Sequence, residues 1–205
     1  MTRVLLRPPS GTAEVVADGL RVLAVISIVV AGIGWGVLSA LSFVSAVAAM
    51  LVPRVLRVRP AFDIAFCAAV LVSTWSSVMG IYLSTRWWDL PMHFLTNGLC
   101  AAMLYVVLVR LRVLADAETL PRPVLSATVM VTALGLAIGV LWELFEWFGL
   151  NYIDPEIFVG YVDTIGDLVQ GGLGSLAAGL CMRYLAGQPR RAREPLPAAE
   201  TGRAA

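Results

Sequence analysis

The chain has 205 residues, of which 59% are hydrophobic and 14% charged, with a mean hydropathy of +0.83. A soluble domain is roughly half apolar and about a quarter charged, so this composition excludes an ordinary water-soluble fold and points to a bilayer. A net charge of +1 argues against a nucleic-acid partner.

All fifteen basic residues are arginine, the usage expected of a GC-rich bacterial genome. Cys67, Cys100 and Cys181 are odd in number and far apart. With no CxxC spacing they read as small apolar packing residues.

In chain order, residues 1–19 are polar and are expected to form a disordered cytoplasmic segment. The apolar block Leu20–Val52 comes next. It is too long for one span of roughly 20 residues and barely long enough for two. Arg3, Arg7 and Arg21 precede it, and Arg54, Arg57 and Arg59 follow it. Basic residues mark cytoplasmic flanks, so both ends belong inside and the crossings must be even in number. The glycines at 32, 34 and 36 permit a tight turn between two helices; a single long tilted helix is the alternative. The apolar run also far exceeds the usual 7–15 residues of a cleavable signal peptide.

Four more spans follow at about Ala61–Leu83, Met92–Leu111, Val124–Phe148 and Val162–Leu185. The expected fold is an all-α, polytopic transmembrane helix bundle over residues 20–186. It has six spans, with five as the alternative, and both termini are cytoplasmic. This arrangement puts fourteen of the fifteen arginines inside and Arg86 outside. Residues 187–205 form a Pro/Ala-rich tail, expected to be cytoplasmic and disordered. The expected location is the bacterial cytoplasmic (inner) membrane.

Three polar segments then meet at the outer boundary. The loop before the fourth span carries Asp89 and His93, four residues apart. The fifth span ends with Glu143 and Glu146, three apart, and the sixth begins with Asp163 and Asp167, again four apart. On a helix each spacing puts both members on one face, and Asn97 and Gln170 continue two of those faces. An ionisable residue within a span costs roughly 2.5–3.5 kcal/mol on insertion scales and is a functional candidate by default. Clustered carboxylates need protons, counter-charges or a cation, and the outer side offers one arginine and the single histidine. A divalent metal held by Asp89, His93, Glu143, Glu146, Asp163 and Asp167 satisfies that need. Mg, Mn, Ca, Fe and Zn all suit such ligands.

Plainer roles compete. Asp89, ahead of Pro91, and Asp163 both fit helix N-caps, and so does Asp63 at the inner start of the third span. Capping does not account for Glu143 and Asp167, each about one turn inside its helix. Trp87, Trp88, Trp142 and Trp147 fit an interfacial aromatic belt. Gly166, Gly171, Gly172 and Gly174 with Ser175 fit close helix packing. Asp154 and Glu156 fall in an outer loop and are expected to be solvated.

The segments Trp88-Asp89-x-x-x-His93-Phe94, Glu143-x-x-Glu146-Trp147 and Asp163-Thr164-x-x-Asp167 resemble the YjdF-like family of bacterial inner-membrane proteins, over about residues 60–185. The resemblance implies a polytopic bundle and the same six site residues, but no particular activity. Read from the residues, the cluster suits a metal-dependent hydrolase or transferase acting on a lipid or lipid-linked headgroup, with His93 or Glu143 as general base. The alternatives are an ion- or proton-coupled transporter using the same carboxylates, and a non-catalytic scaffold or partner subunit.

Overall fold

A computed structural model describes residues 8–155, 157 and 159–186. Among these the chain is helical and has no strand. The elements are α1 (Thr12–Trp35), α2 (Val37–Leu56), α3 (Pro60–Val78), the short α4 (Ile81–Ser84), α5 (Asp89–Arg110), α6 (Pro123–Tyr152), α7 (Tyr161–Leu180) and the short α8 (Met182–Leu185). Single 3₁₀ turns at Arg86–Trp88 and Ala117–Thr119 lead into α5 and α6. α1 begins inside the 1–19 stretch expected to precede the bundle; residues 1–7 and the tail 187–205 lie outside the described residues.

The block Leu20–Val52 forms two helices, as its length and flanking arginines require. They turn on Gly36, whose φ of +93° suits glycine alone. The Gly36 amide donates to the Gly32 carbonyl (3.2 Å), and the Ala40 amide donates to that of Gly36 (3.2 Å). Gly32 and Ala40 face each other across the turn. The opposite ends of the two helices are joined by an Arg54–Asp18 ion pair at 2.8 Å.

Five helices are long and apolar enough to cross a membrane: α1, α2, α3, α6, and α5 together with its leading turn. α7 also has spanning length, at 20 residues, but Asp163, Asp167, Gln170 and its glycines keep its hydropathy below theirs. The reason lies in its surroundings. α7 packs on both α5 and α6, so much of its surface meets protein rather than lipid. Large apolar side chains cover the outside of the bundle, among them Val22, Ile26 and Val29 of α1 and Leu141, Leu144 and Phe145 of α6.

The core runs along α5, where Leu99, Ala101, Ala102 and Val106 pack with Phe62 and Phe66 of α3 and Val131 of α6. α5 and α7 run parallel: His93 pairs with Asp167, and one turn on Asn97 meets Gly171. They touch backbone to backbone. A Cβ on Gly98 would lie 2.5 Å from the Gly174 carbonyl oxygen, and one on Gly174 would overlap the carbonyl of Phe94. The Asn97 amide donates to the Gly135 carbonyl of α6 (3.0 Å) and reaches the Ser175 hydroxyl of α7 (3.4 Å). One side chain thus ties three helices at mid-depth.

At the arginine-rich end the structure corrects an expectation. Asp63 is not a cap; α3 has Arg59 at that position and no side-chain cap bond. Asp63 is buried and accepts from Arg21 Nη2 and from the Cys67 thiol (3.4 Å). Arg21 also donates to the Met50 carbonyl (2.7 Å) and to Asp18 (3.0 Å). Because α1 starts at Thr12, Arg21 lies inside the helix rather than on its flank, and its buried charge needs these partners.

Candidate functional site

The site lies at the end opposite the arginine network. After α3, Gly80 in a left-handed conformation turns the chain into α4, and the Arg86–Trp88 turn delivers it to α5. Trp88 does not join an exposed belt, because its indole donates to the Ser76 hydroxyl of α3 at 3.0 Å and pins the turn. Trp87, Trp142 and Trp147 are exposed, as a belt requires. Pro91 falls in the first turn of α5, where a missing amide proton leaves no bond unmade.

Asp89 is the first residue of α5 and makes no capping bond. Its carboxylate turns along the helix to His93, with Oδ1 3.3 Å from Nε2. The same Nε2 lies 3.9 Å from Oδ1 of Asp167 on α7. One ligand atom from each of Asp89, His93 and Asp167 fits within a mutual 4.8 Å. Asp167 is 3% exposed, and its Oδ2 has no hydrogen-bond partner among the described residues. A buried carboxylate oxygen without a donor is costly and leaves a coordination position free.

The other three acids lie around this centre, not in it. Asp163 also fails as a cap: Gly160 holds that position, and α7 has no side-chain cap bond. Asp163 is half-buried one turn before Asp167 and acts electrostatically on Asp89, His93 and Arg86. Glu143 is half-buried in α6, where Thr164, His93, Asp163 and Asp89 act on it electrostatically. Glu146 adds its charge beside Glu143 and His93. Asp154 follows α6 and is half-buried, while Glu156 lies outside the described residues. The six predicted residues thus converge on one end of the bundle, with Asp89, His93 and Asp167 at ligand spacing.

Tyr82 was not foreseen. Its hydroxyl is 2.9 Å from that of Ser73, and it lies close enough to Asp89 and Glu146 to feel their charge. Burial pushes its phenol above the ordinary value. Its place in a short helix with no marked periodicity left no signal.

The sequence model of the family described as "Predicted membrane protein (DUF2238)" matches residues 16–187. The chain belongs to this family. The YjdF-like resemblance is to the same family, but the match also takes in the α1–α2 hairpin, which the motifs alone did not reach. All six site residues fall within it. No curated protein and no solved structure matches the chain.

Proposed function

We propose that Asp89, His93 and Asp167 bind a divalent metal ion that serves hydrolysis or transfer of a lipid headgroup at the membrane boundary. The observation carrying this reading is the buried, donorless Oδ2 of Asp167 beside an imidazole and a second carboxylate. Metal–nitrogen and metal–oxygen bonds of about 2.0–2.2 Å separate neighbouring ligand atoms by roughly 3–3.6 Å. The separations of 3.3 and 3.9 Å at Nε2 need only a small inward movement to match. Three protein ligands leave a position for water, the pattern of catalytic rather than structural sites.

His93 is used as a ligand through Nε2, which leaves Glu143 as the base, acting directly or through one water. A metal held by Asp89, His93 and Asp167 would acidify a water and polarise the headgroup; Glu143 would take the proton of the water that attacks the headgroup phosphorus or acyl carbon. The bond to the leaving oxygen breaks, and that oxygen takes the proton back from Glu143. In a transfer reaction an acceptor hydroxyl replaces the water. Fourteen arginines assigned to the other side support an outward-facing site in the bacterial cytoplasmic membrane.

The test uses the purified full chain in phosphatidylethanolamine/phosphatidylglycerol vesicles. Headgroup release should require added metal, stop with chelator, and disappear in Glu143→Gln while bound metal persists. Metal-dependent cation flux without headgroup release would replace this reading with a carrier.

A further inference from the structure

A shallow groove of about 410 Å³ runs between α6 and α7, lined almost wholly by apolar surface. Ile165, Leu168, Gly172 and Leu176 form its α7 wall, spaced by three, four and four residues as one helical stripe. Leu136 and Thr132 of α6 lie opposite. Glycine shapes the groove floor: a Cβ on Gly172 would sit 3.1 Å from Leu136 Cδ2, so any larger side chain there fills the space. The walls open outward, with Ile165, Leu136 and Leu176 each over two-fifths exposed.

Two geometric facts identify the occupant. The first is length. From Ile165 to Leu176 the stripe runs about 16 Å at ~1.5 Å per residue, close to half of the ~30 Å hydrocarbon core and so the depth of one leaflet. The second is continuity with the metal centre. Leu168 lines the groove while its neighbour Asp167 faces His93. Leu168 also packs against Gly139, one turn below Glu143. The upper end of the groove therefore opens beneath Glu143 and beside the metal ligands.

We infer that this groove holds one acyl chain of a lipid from the leaflet at the site end, whose headgroup thereby reaches the metal centre. The inference rests on the proposed headgroup chemistry and names its substrate class: a membrane lipid carrying at least one extended chain. α7 is then two-sided, with Asp163 and Asp167 on the headgroup side and the Ile165–Leu176 stripe on the chain side. The glycines that keep α7 slender serve the chain at 172 as well as helix contact at 171 and 174.

The test is photolabelling of the full chain in phosphatidylethanolamine/phosphatidylglycerol vesicles containing a phospholipid with a diazirine at mid-chain. Residues 132–136 and 165–176 should be labelled several-fold more than Val22, Leu23, Val25, Ile26, Val29 and Val30 of α1, which are apolar and exposed. Gly172→Leu should reduce groove labelling to the α1 level without lowering bound metal. Leu173→Trp, which narrows the groove from its rim, should act in the same direction and covers the case in which Gly172→Leu fails to fold. Equal labelling of groove and α1, or labelling unchanged in both variants, overturns the inference. Cross-linking of two chains through cysteines placed at position 169 would assign the groove to a second copy instead. Groove labelling in a wild-type protein that binds no metal would leave the chain groove standing and remove the metal reading.

Discussion

Asp167 has one carboxylate oxygen 3.9 Å from an imidazole and the other facing no donor among the described residues, while Asp63 at the far end of the bundle is met by a guanidinium and a thiol. Both are buried carboxylates, and their partners separate their roles. Asp63 and Arg21 neutralise each other, so removing one leaves a buried charge. Arg21→Met should cost about 3–5 kcal/mol, read as loss of thermal stability in detergent. Arg21→Met combined with Asp63→Leu should recover most of it, and failure to recover would show that the pair does more than cancel charge. Asp167→Asn should behave differently. It leaves unfolding without metal unchanged or raised, because an uncompensated carboxylate has gone. A metal present at ~100 times its Kd stabilises a folded protein by about 2.7 kcal/mol. That increment should appear in the wild type and vanish in Asp167→Asn.

The ligand spacing depends on the contact between α5 and α7. Their register, His93 with Asp167 and Asn97 with Gly171, holds only while Gly98 and Gly174 let the backbones touch. Gly174→Ala places a methyl against the Phe94 carbonyl, which has no flexible side-chain end to yield. Overpacking of this kind costs about 1–3 kcal/mol, and it should also weaken metal affinity by spreading His93 from Asp167. Gly172→Ala, whose methyl would meet the side-chain end of Leu136, should do neither, as thermal unfolding and metal titration of the two variants can show.

The same elements show how far the sequence could be read. The six long helices and the acid–His convergence were legible because apolar length and four-residue spacing are local properties. The hairpin was legible because Gly36 lies midway between two arginine clusters. The division of six candidate ligands into three at ligand spacing and three around them was not, because it depends on which helices run parallel and at what offset. Nor was the Arg21–Asp63 bond, which joins residues 42 apart. The Asp18–Arg21 and Asp63–Cys67 spacings were its only local trace, and a first-turn aspartate otherwise resembles a cap.

Across the bundle, the arginine distribution leads us to expect the arginine-rich end inside and the site end outside. Arg57 and Arg112 turn the chain at one end, while Ile33, beside Gly36, and Trp87 are exposed at the other. Cysteines introduced at 33 and 87 should react with an impermeant maleimide in intact cells. Cysteines at 57 and 112, and the exposed native Cys181, should react only after permeabilisation. The reverse pattern would move the site to the cytoplasmic face, and a split within either group would refute the even number of crossings.

The central claim is that Asp89, His93 and Asp167 form a metal centre, and metal content measures it most directly. The full chain, purified without chelator and analysed by mass spectrometry for bound metals, should carry close to one divalent ion per chain. Folded Asp167→Asn and His93→Ala should carry almost none, and Glu143→Gln should match the wild type. Negligible metal in the wild type even after loading, or equal metal in all four proteins, would contradict the account.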